Sequence, residues 1–240
     1  MPTELPPRPF DSPQPISPSA AVAIPAFLAR VYAWMTAGLA VTAGVAFATL
    51  SNETLLRMVL GNRVVFFGLL FAELGLVVWL SGMVGRLSAP AAGAVFILYS
   101  ALNGLTLSAV FLAFTSGSIV STFVVTAGMF GAMSVYGLAT KRSLDGVGSF
   151  AFMGLIGVIL ASVVNIFLKN DMLGFVLSCA GVIVFVALTA YDTRKLKMMA
   201  ATVDGRSEEG RRGAISGALA LYLDFINLFL MMLRLFGNRR

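Results

Sequence analysis

Seven long apolar stretches follow one another along this chain of 240 residues, and no other feature of the sequence constrains the fold as strongly. They lie near residues 27–50, 64–82, 91–113, 118–138, 150–168, 173–192 and 214–235. Each is about 17 to 24 residues long, the length of helix that crosses a hydrocarbon core. A backbone in lipid must satisfy its own hydrogen bonds, and long apolar runs do so as helices. The sequence therefore predicts an all-α membrane protein with seven transmembrane helices.

The composition agrees with this prediction and limits the chemistry. Hydrophobic residues make up 58% of the chain and charged residues 12%, against about 45–50% and about 25% in soluble domains. The chain has no histidine, which excludes Ser-His-Asp and Cys-His nucleophile systems and HExxH zinc sites. The single cysteine, Cys179, lies in an apolar stretch and supports neither an internal disulfide nor a thiolate cluster. We therefore expect no enzyme and no bound cofactor.

The N-terminal segment 1–25 differs from the rest of the chain. It holds eight of the nine prolines and few apolar residues, a composition typical of a disordered tail. It lacks the basic-then-apolar order of a cleaved signal peptide. The sequence predicts a proline-rich tail over 1–25 and a seven-helix transmembrane domain over 26–240, whose first span is an uncleaved anchor.

The distribution of lysine and arginine predicts the orientation. If the tail is cytoplasmic, that side holds eleven of the 17 basic residues and the opposite side holds six. The positive-inside rule then favours a cytoplasmic N-terminus and, after seven crossings, a C-terminus on the opposite side. The closing Gly-Asn-Arg-Arg lies on the disfavoured side, so a re-entrant last segment stays open. The net charge of +6 is spread over loops, and we expect no nucleic-acid binding.

Small residues spaced four apart predict close contacts between helices. The chain has three such pairs in its spans: Gly104 with Ser108, Gly128 with Ala132, and Gly157 with Ala161.

Three acidic residues fall within the predicted spans: Glu73, Asp192 and Asp224. An ionisable side chain in hydrocarbon costs a few kcal/mol and marks a candidate functional position. Asp224 lies halfway along an apolar span. Asp192 is followed by basic residues and also fits an interfacial carboxylate. Glu73 either contributes to an ion path or bonds to a neighbouring helix, and the second interpretation is slightly favoured.

Helical spacing places each aspartate on a defined face of its span. The face of Asp224 also carries Ser216, Ala220 and Asn227. The face of Asp192 also carries Ser178, Gly181, Phe185 and Leu188. If the faces meet, the two carboxylates share a proton and titrate as one unit. Asp192 nevertheless lies near the predicted end of its span, while Asp224 lies about 15 Å deep. Pairing therefore requires a last helix that begins earlier, a deeper sixth span or a tilt.

Four segments carry a resemblance to a known family. They are TAYDTRKLK at 189–197, GALALYLDFINLFLMMLRLFG at 217–237, ALNGLTLS at 101–108 and TAGMFGAMSVYG at 126–137. With the seven-span layout, residues 25–237 resemble the bacterial branch of the Bax inhibitor-1 family. The resemblance implies a bundle in a bacterial inner membrane with the last helix at its centre. It also implies a pH-sensitive calcium leak, with calcium as the permeant ion.

The resemblance also implies roles for individual residues. The family's paired aspartates fall on Asp192 and Asp224, as pH sensor and transient calcium ligands, and its latching basic residue falls on Arg86. An ordinary cytoplasmic anchor stays open for Arg86. A shared proton would hold the last two spans together and close the path, whereas two ionised carboxylates would favour an open state or one held by Arg86. Calcium takes several oxygen ligands, and a carboxylate pair binds weakly enough to release it. Candidates along the ion path are Glu73, Asn103 and Asn227.

Two other functions stay open. One is a non-transporting regulator that binds another membrane protein, such as a membrane-bound protease, with the tail as its handle. The other is an intramembrane aspartyl protease, because Tyr191-Asp192 fits half of that motif. The second half requires Gly-x-Gly-Asp, and residues 221–224 read Leu-Tyr-Leu-Asp, so proteolysis is the weaker alternative. The lipid bilayer is the partner common to all three.

Overall fold

A computed structural model describes residues 18–240, with side chains described from Ile24 onward. Within that range the chain forms eight helices: α1 (Pro18–Ser51), α2 (Glu53–Leu60), α3 (Arg63–Met83), α4 (Ala89–Ala113), α5 (Ser116–Ala139), α6 (Asp145–Leu168), α7 (Asp171–Thr202) and α8 (Glu208–Phe236). All of them except α2 are long and apolar enough to cross a membrane. The predicted all-α membrane fold with seven spans is confirmed.

The beginning of the chain differs from the prediction. α1 begins at Pro18, so residues 18–25 of the predicted tail are helical, whereas residues 1–17 lie outside the described range. The segment between the first two predicted spans, 27–50 and 64–82, contains the short helix α2. The Asn52 side chain caps this helix by accepting a hydrogen bond from the Leu55 amide at 3.1 Å.

The largest correction concerns the charged segment between the predicted spans 173–192 and 214–235, which the sequence leaves outside the transmembrane helices. α7 continues to Thr202 and α8 begins at Glu208, so only residues 203–207 connect them. The Ser207 hydroxyl caps α8 by accepting from the Gly210 amide at 3.0 Å, and acidic residues in the first turn favour a helix start. The apolar stretches end where the charged residues begin, but the helical backbone of α7 and α8 continues into the charged segment.

α8 lies at the centre of the bundle, as expected from the family resemblance. It contacts α1, α4, α5 and α7, and 56% of the residues in its apolar stretch are buried. The corresponding fraction for α3 and for α6 is 11%. α3 packs mainly on α4 and α6 packs mainly on α7, so these two helices form the periphery.

α8 begins at the end of the bundle that holds the α3–α4 turn. There the Glu208 carboxylate accepts a hydrogen bond from the Ala89 amide at 2.5 Å, and the Arg212 guanidinium donates to the Gly85 carbonyl at 2.5 Å. We call this the inner end, after the predicted orientation, and the opposite end the outer end.

α8 ends at the outer end, beside the α4–α5 turn. The Thr115 amide donates to the Asn238 carbonyl, and the Arg240 amide donates to the Ala113 carbonyl, each at 3.0 Å. Because α8 begins at one end of the bundle and finishes at the other, this arrangement favours seven full crossings over a re-entrant last segment.

Close helix contacts occur at only some of the predicted small-residue pairs. A Cβ on Gly104 would lie 2.6 Å from the Thr42 carbonyl oxygen, so this position needs glycine. Gly128 and Gly157 face open space, and the prediction of close packing there was wrong. Spacing along one helix does not specify which of its faces meets a partner.

Candidate functional site

α7 and α8 run antiparallel, and the contacts between them form one line that we call the α7–α8 seam. From the outer end inward, its pairs are Gly181 with Met231, Asp192 with Asp224, and Leu196 with Gly217. The seam is tight because two of these positions are glycine. A Cβ on Gly181 would lie 2.8 Å from Met231 Cγ, so a larger residue there would require the Met231 side chain to move.

The structure brings Asp192 and Asp224 together in this seam. Their carboxyl groups lie within hydrogen-bonding reach of each other. Asp224 is only 4% exposed, and its Oδ2 has no hydrogen-bond partner among the described residues. The apparent difference in depth disappears because α7 continues past Asp192 to Thr202 and α8 begins as early as Glu208. The two helix faces therefore meet at this point.

Three basic residues follow Asp192, and two of them are bound elsewhere. The Arg194 guanidinium donates to the Thr140 carbonyl at 2.7 Å, and the Lys197 ammonium donates to the Leu138 carbonyl at 2.5 Å. These carbonyls belong to the C-terminal end of α5, where cations are favourable. Lys195 lies near enough to act on Asp192 electrostatically. Across residues 18–240, no ion pair neutralises either aspartate.

Arg86 does not reach the aspartates in this conformation. It is exposed in the turn between α3 and α4, and in the described part of the chain it forms no ion pair. That turn is held by Arg212 of α8, which donates to the carbonyls of Gly85 and Leu87 at 2.5 and 3.4 Å. The predicted latch is not engaged here.

Glu73 lies in a second polar cluster, between α3 and α4. Its side chain is 7% exposed. The Thr106 hydroxyl donates to Glu73 Oε1 at 2.9 Å, and the Asn103 amide donates to Oε2 at 3.5 Å. The favoured interpretation, a bond to a neighbouring helix, matches this geometry. The third ion-path candidate, Asn227, donates to the Leu223 carbonyl of its own helix at 2.8 Å, one turn from Asp224.

Replacing Glu73 with leucine is expected to destabilise the protein by about 1–2 kcal/mol. The half-buried Asn103 amide loses its carboxylate acceptor, and the buried Thr106 hydroxyl keeps only the Asn103 carbonyl, at 3.0 Å. Glu73→Gln retains an acceptor for Thr106 and is expected to cost less. Equilibrium unfolding in mixed micelles measures both. If Glu73→Leu is as stable as the unaltered protein, these bonds do not hold α3 on α4.

A buried polar group around Tyr222 was not anticipated from the sequence. Thr42 donates to the Ser100 carbonyl at 2.9 Å, so the Tyr222 hydroxyl, 2.7 Å from Thr42 Oγ1, acts as the donor to Thr42. Tyr222 is fully buried on α8, two residues before Asp224. A threonine and a tyrosine within apolar spans indicate a buried hydrogen bond, since buried polar groups need partners. The sequence does not show that these two residues are each other's partners.

The fold and site define a class: a multi-pass helical membrane protein whose central helix carries a buried aspartate that pairs with an aspartate of the neighbouring helix. The sequence model of the family described as inhibitor of apoptosis-promoting Bax1 matches residues 24–240. The chain is similar to the inner membrane protein YbhL of Escherichia coli K12, with 55% identity over 215 residues, 89% of this chain and 92% of the relative.

Two further relatives are similar over the same region. An uncharacterized protein of Deinococcus radiodurans is 46% identical over 215 residues, 89% of this chain and 90% of its own. Another, from Borreliella burgdorferi, is 44% identical over 214 residues, 89% of this chain and 92% of its own. The chain belongs to the Bax inhibitor-1 family, and the predicted resemblance is confirmed.

Proposed function

We propose that the protein is a pH-sensitive cation leak of a bacterial inner membrane, gated at Asp192 and Asp224 and permeable to calcium. The observation that carries the proposal is the pairing of the buried Asp224 carboxyl group with the half-buried Asp192 carboxyl group in the α7–α8 seam. Buried polar atoms without partners are rare in folded proteins, and Asp224 Oδ2 is one. An ionisable pair inside a membrane bundle suits a proton or a cation that comes and goes. The name of the E. coli relative supports the inner-membrane location.

The proposed gate depends on one proton. Two carboxylates in contact repel each other when both are ionised, so the tight seam is stable with one proton shared between them. Loss of that proton leaves two negative charges with only Lys195 nearby, and repulsion then favours separation of α7 from α8. Raising the pH therefore opens the path. When both carboxylates are ionised, Arg86 is the cation that would approach them.

Weak cation binding is part of the proposal. In residues 18–240, no cluster of three or more acidic, histidine or cysteine side chains is arranged to hold a metal. Two carboxylates, together with backbone oxygens and the Asn227 amide oxygen, offer calcium the oxygen ligands that it prefers. A site of this kind releases its ion, as conduction requires.

Calcium flux into proteoliposomes tests the proposal. Purified protein is reconstituted around a trapped calcium dye, and flux is recorded from about pH 5 to about pH 8, where carboxylates that share a proton titrate. The unaltered protein should leak more as the pH rises. Asp192→Asn and Asp224→Asn cannot place two negative charges in the seam, so their flux should be low and independent of pH. Asp145→Asn, at the exposed start of α6, is the matched control and should behave like the unaltered protein.

Three outcomes contradict the proposal in different ways. Flux that falls as the pH rises would mean that loss of the proton closes the path instead of opening it. Unchanged pH dependence in both aspartate variants places the gate elsewhere. Folded protein with no flux above empty liposomes overturns the leak and favours the regulatory alternative, whereas cleavage of an added peptide substrate would favour the protease.

A further inference from the structure

A cavity of about 500 Å³ opens at the outer end of the α7–α8 seam. It lies where α6 ends, α7 begins and α8 ends, at the level expected for lipid headgroups. The polar side chains that line it include Asn165, Lys169, Asp171, Ser178, Arg234 and Arg239. The flux proposal does not use this cavity.

The charges around the cavity are unbalanced. Lys169, Arg234 and Arg239 face one carboxylate, that of Asp171. None of these cations forms an ion pair within residues 18–240, where the two ion pairs join Glu53 to Arg57 and Glu208 to Arg211. Arg234 and Arg239 lie close enough to repel each other. Like charges gathered in one cavity favour an anion between them.

One of the three cations, Arg239, is held in place by the backbone on either side of it. The Asn238 amide donates to the Ser118 hydroxyl at 2.9 Å, and Arg240 pairs with the α4–α5 turn through its own amide at 3.0 Å. Between these two anchors, Arg239 lies over the Phe114 ring, 6.0 Å from its centroid. The last residues therefore form a fixed part of the cavity wall.

An amide donor adds to the positive charge. Asn165 Oδ1 accepts a hydrogen bond from the Asn170 amide at 3.1 Å. The other end of the same side chain, Nδ2, is directed toward Gly174, which also lines the cavity. The cavity wall therefore carries an amide N–H donor in addition to the two guanidinium groups and the ammonium group.

We propose that this cavity binds a phosphate-type oxyanion, carried by an anionic phospholipid of the adjacent leaflet or free in solution. Guanidinium groups match phosphate with paired, charge-assisted hydrogen bonds. The site gives Arg234 and Arg239, which line the cavity, a binding role on the side that the positive-inside rule disfavours.

The test measures binding, so its result is independent of the flux assay. Detergent-purified full-length protein is titrated with inorganic phosphate by calorimetry. In a second arm, native mass spectrometry counts phosphatidylglycerol and phosphatidylcholine retained after reconstitution in an equal mixture. The double variant Arg234→Gln, Arg239→Gln is compared with Arg57→Gln, Arg63→Gln, which removes two charges outside the cavity. The charge-preserving variant Arg234→Lys, Arg239→Lys reports binding without loss of charge.

We expect the glutamine variant to bind at least about tenfold more weakly than the unaltered protein. The Arg57, Arg63 control should bind normally and the lysine variant should bind in between. Phosphate binding without lipid selectivity identifies a soluble oxyanion, and selective retention of phosphatidylglycerol identifies a lipid headgroup; either supports the site. Binding of neither probe, or equal loss in the Arg57, Arg63 control, overturns it. If the glutamine variant unfolds, the lysine variant is compared with the unaltered protein instead. The lysine variant must then bind more weakly than the unaltered protein.

Discussion

Replacing Gly137 with alanine is expected to lower the free energy of unfolding by about 3 kcal/mol, the upper range for overpacking. Gly137 lies on α5 with its Cα against the Ala190 carbonyl of α7, and a Cβ there would overlap that oxygen and lie 3.2 Å from Thr193 Cβ. Backbone cannot move aside as a flexible side chain can. α5 and α7 would have to separate, and the segment that carries Asp192 would shift with them.

The control for this change is the same substitution on the same helix. Gly128→Ala adds a Cβ into open space and should leave stability unchanged or raise it by up to about 1 kcal/mol, since alanine favours helix more than glycine does. Equilibrium unfolding in mixed micelles compares the two. Equal stabilities would mean that the α5–α7 contact is looser than described.

Replacing Tyr222 with alanine is expected to cost about 3–5 kcal/mol, the range for deleting a large buried aromatic side chain. The ring is completely buried and makes edge-on contacts with Phe96 and Tyr99, at centroid distances of 5.6 and 5.9 Å. Its loss leaves a cavity at the centre of the bundle and leaves the Thr42 hydroxyl oxygen without its donor.

Tyr222→Phe separates the two contributions. It keeps the ring and removes only the bond to Thr42, so we expect a cost of about 1 kcal/mol. The same unfolding measurement applies to both variants. If the phenylalanine variant loses as much stability as the alanine variant, the hydrogen bond dominates and the packing argument fails.

The sequence was sufficient for the features that depend on composition along the chain. Seven apolar stretches predicted seven spans, and the cost of burying a carboxylate singled out Glu73, Asp192 and Asp224. Helical periodicity then placed Asp192 and Asp224 on faces that meet in the structure. The central position of α8 was implied by the family resemblance.

The remaining features depend on which surfaces meet in space. Charged residues led the sequence analysis to end the sixth span too early and to begin the seventh too late. The helical hydrogen bonds continue through both charged segments. Gly128 and Gly137 have the same chemistry and lie on the same helix. Only Gly137 meets another backbone, because helix rotation is set by neighbours that lie far away in the sequence.

The position of α8 has a consequence for biogenesis. The helix at the centre of the bundle is made after the other six spans, since residues 208–240 follow them in the chain. At about 5–20 residues per second, their synthesis takes about 2 to 7 s. During that interval the six other spans lack their central helix, and Asp192 lacks its partner Asp224. A chain that stops before Glu208 would lack the core residues that α8 supplies, among them Leu221, Tyr222 and Phe225.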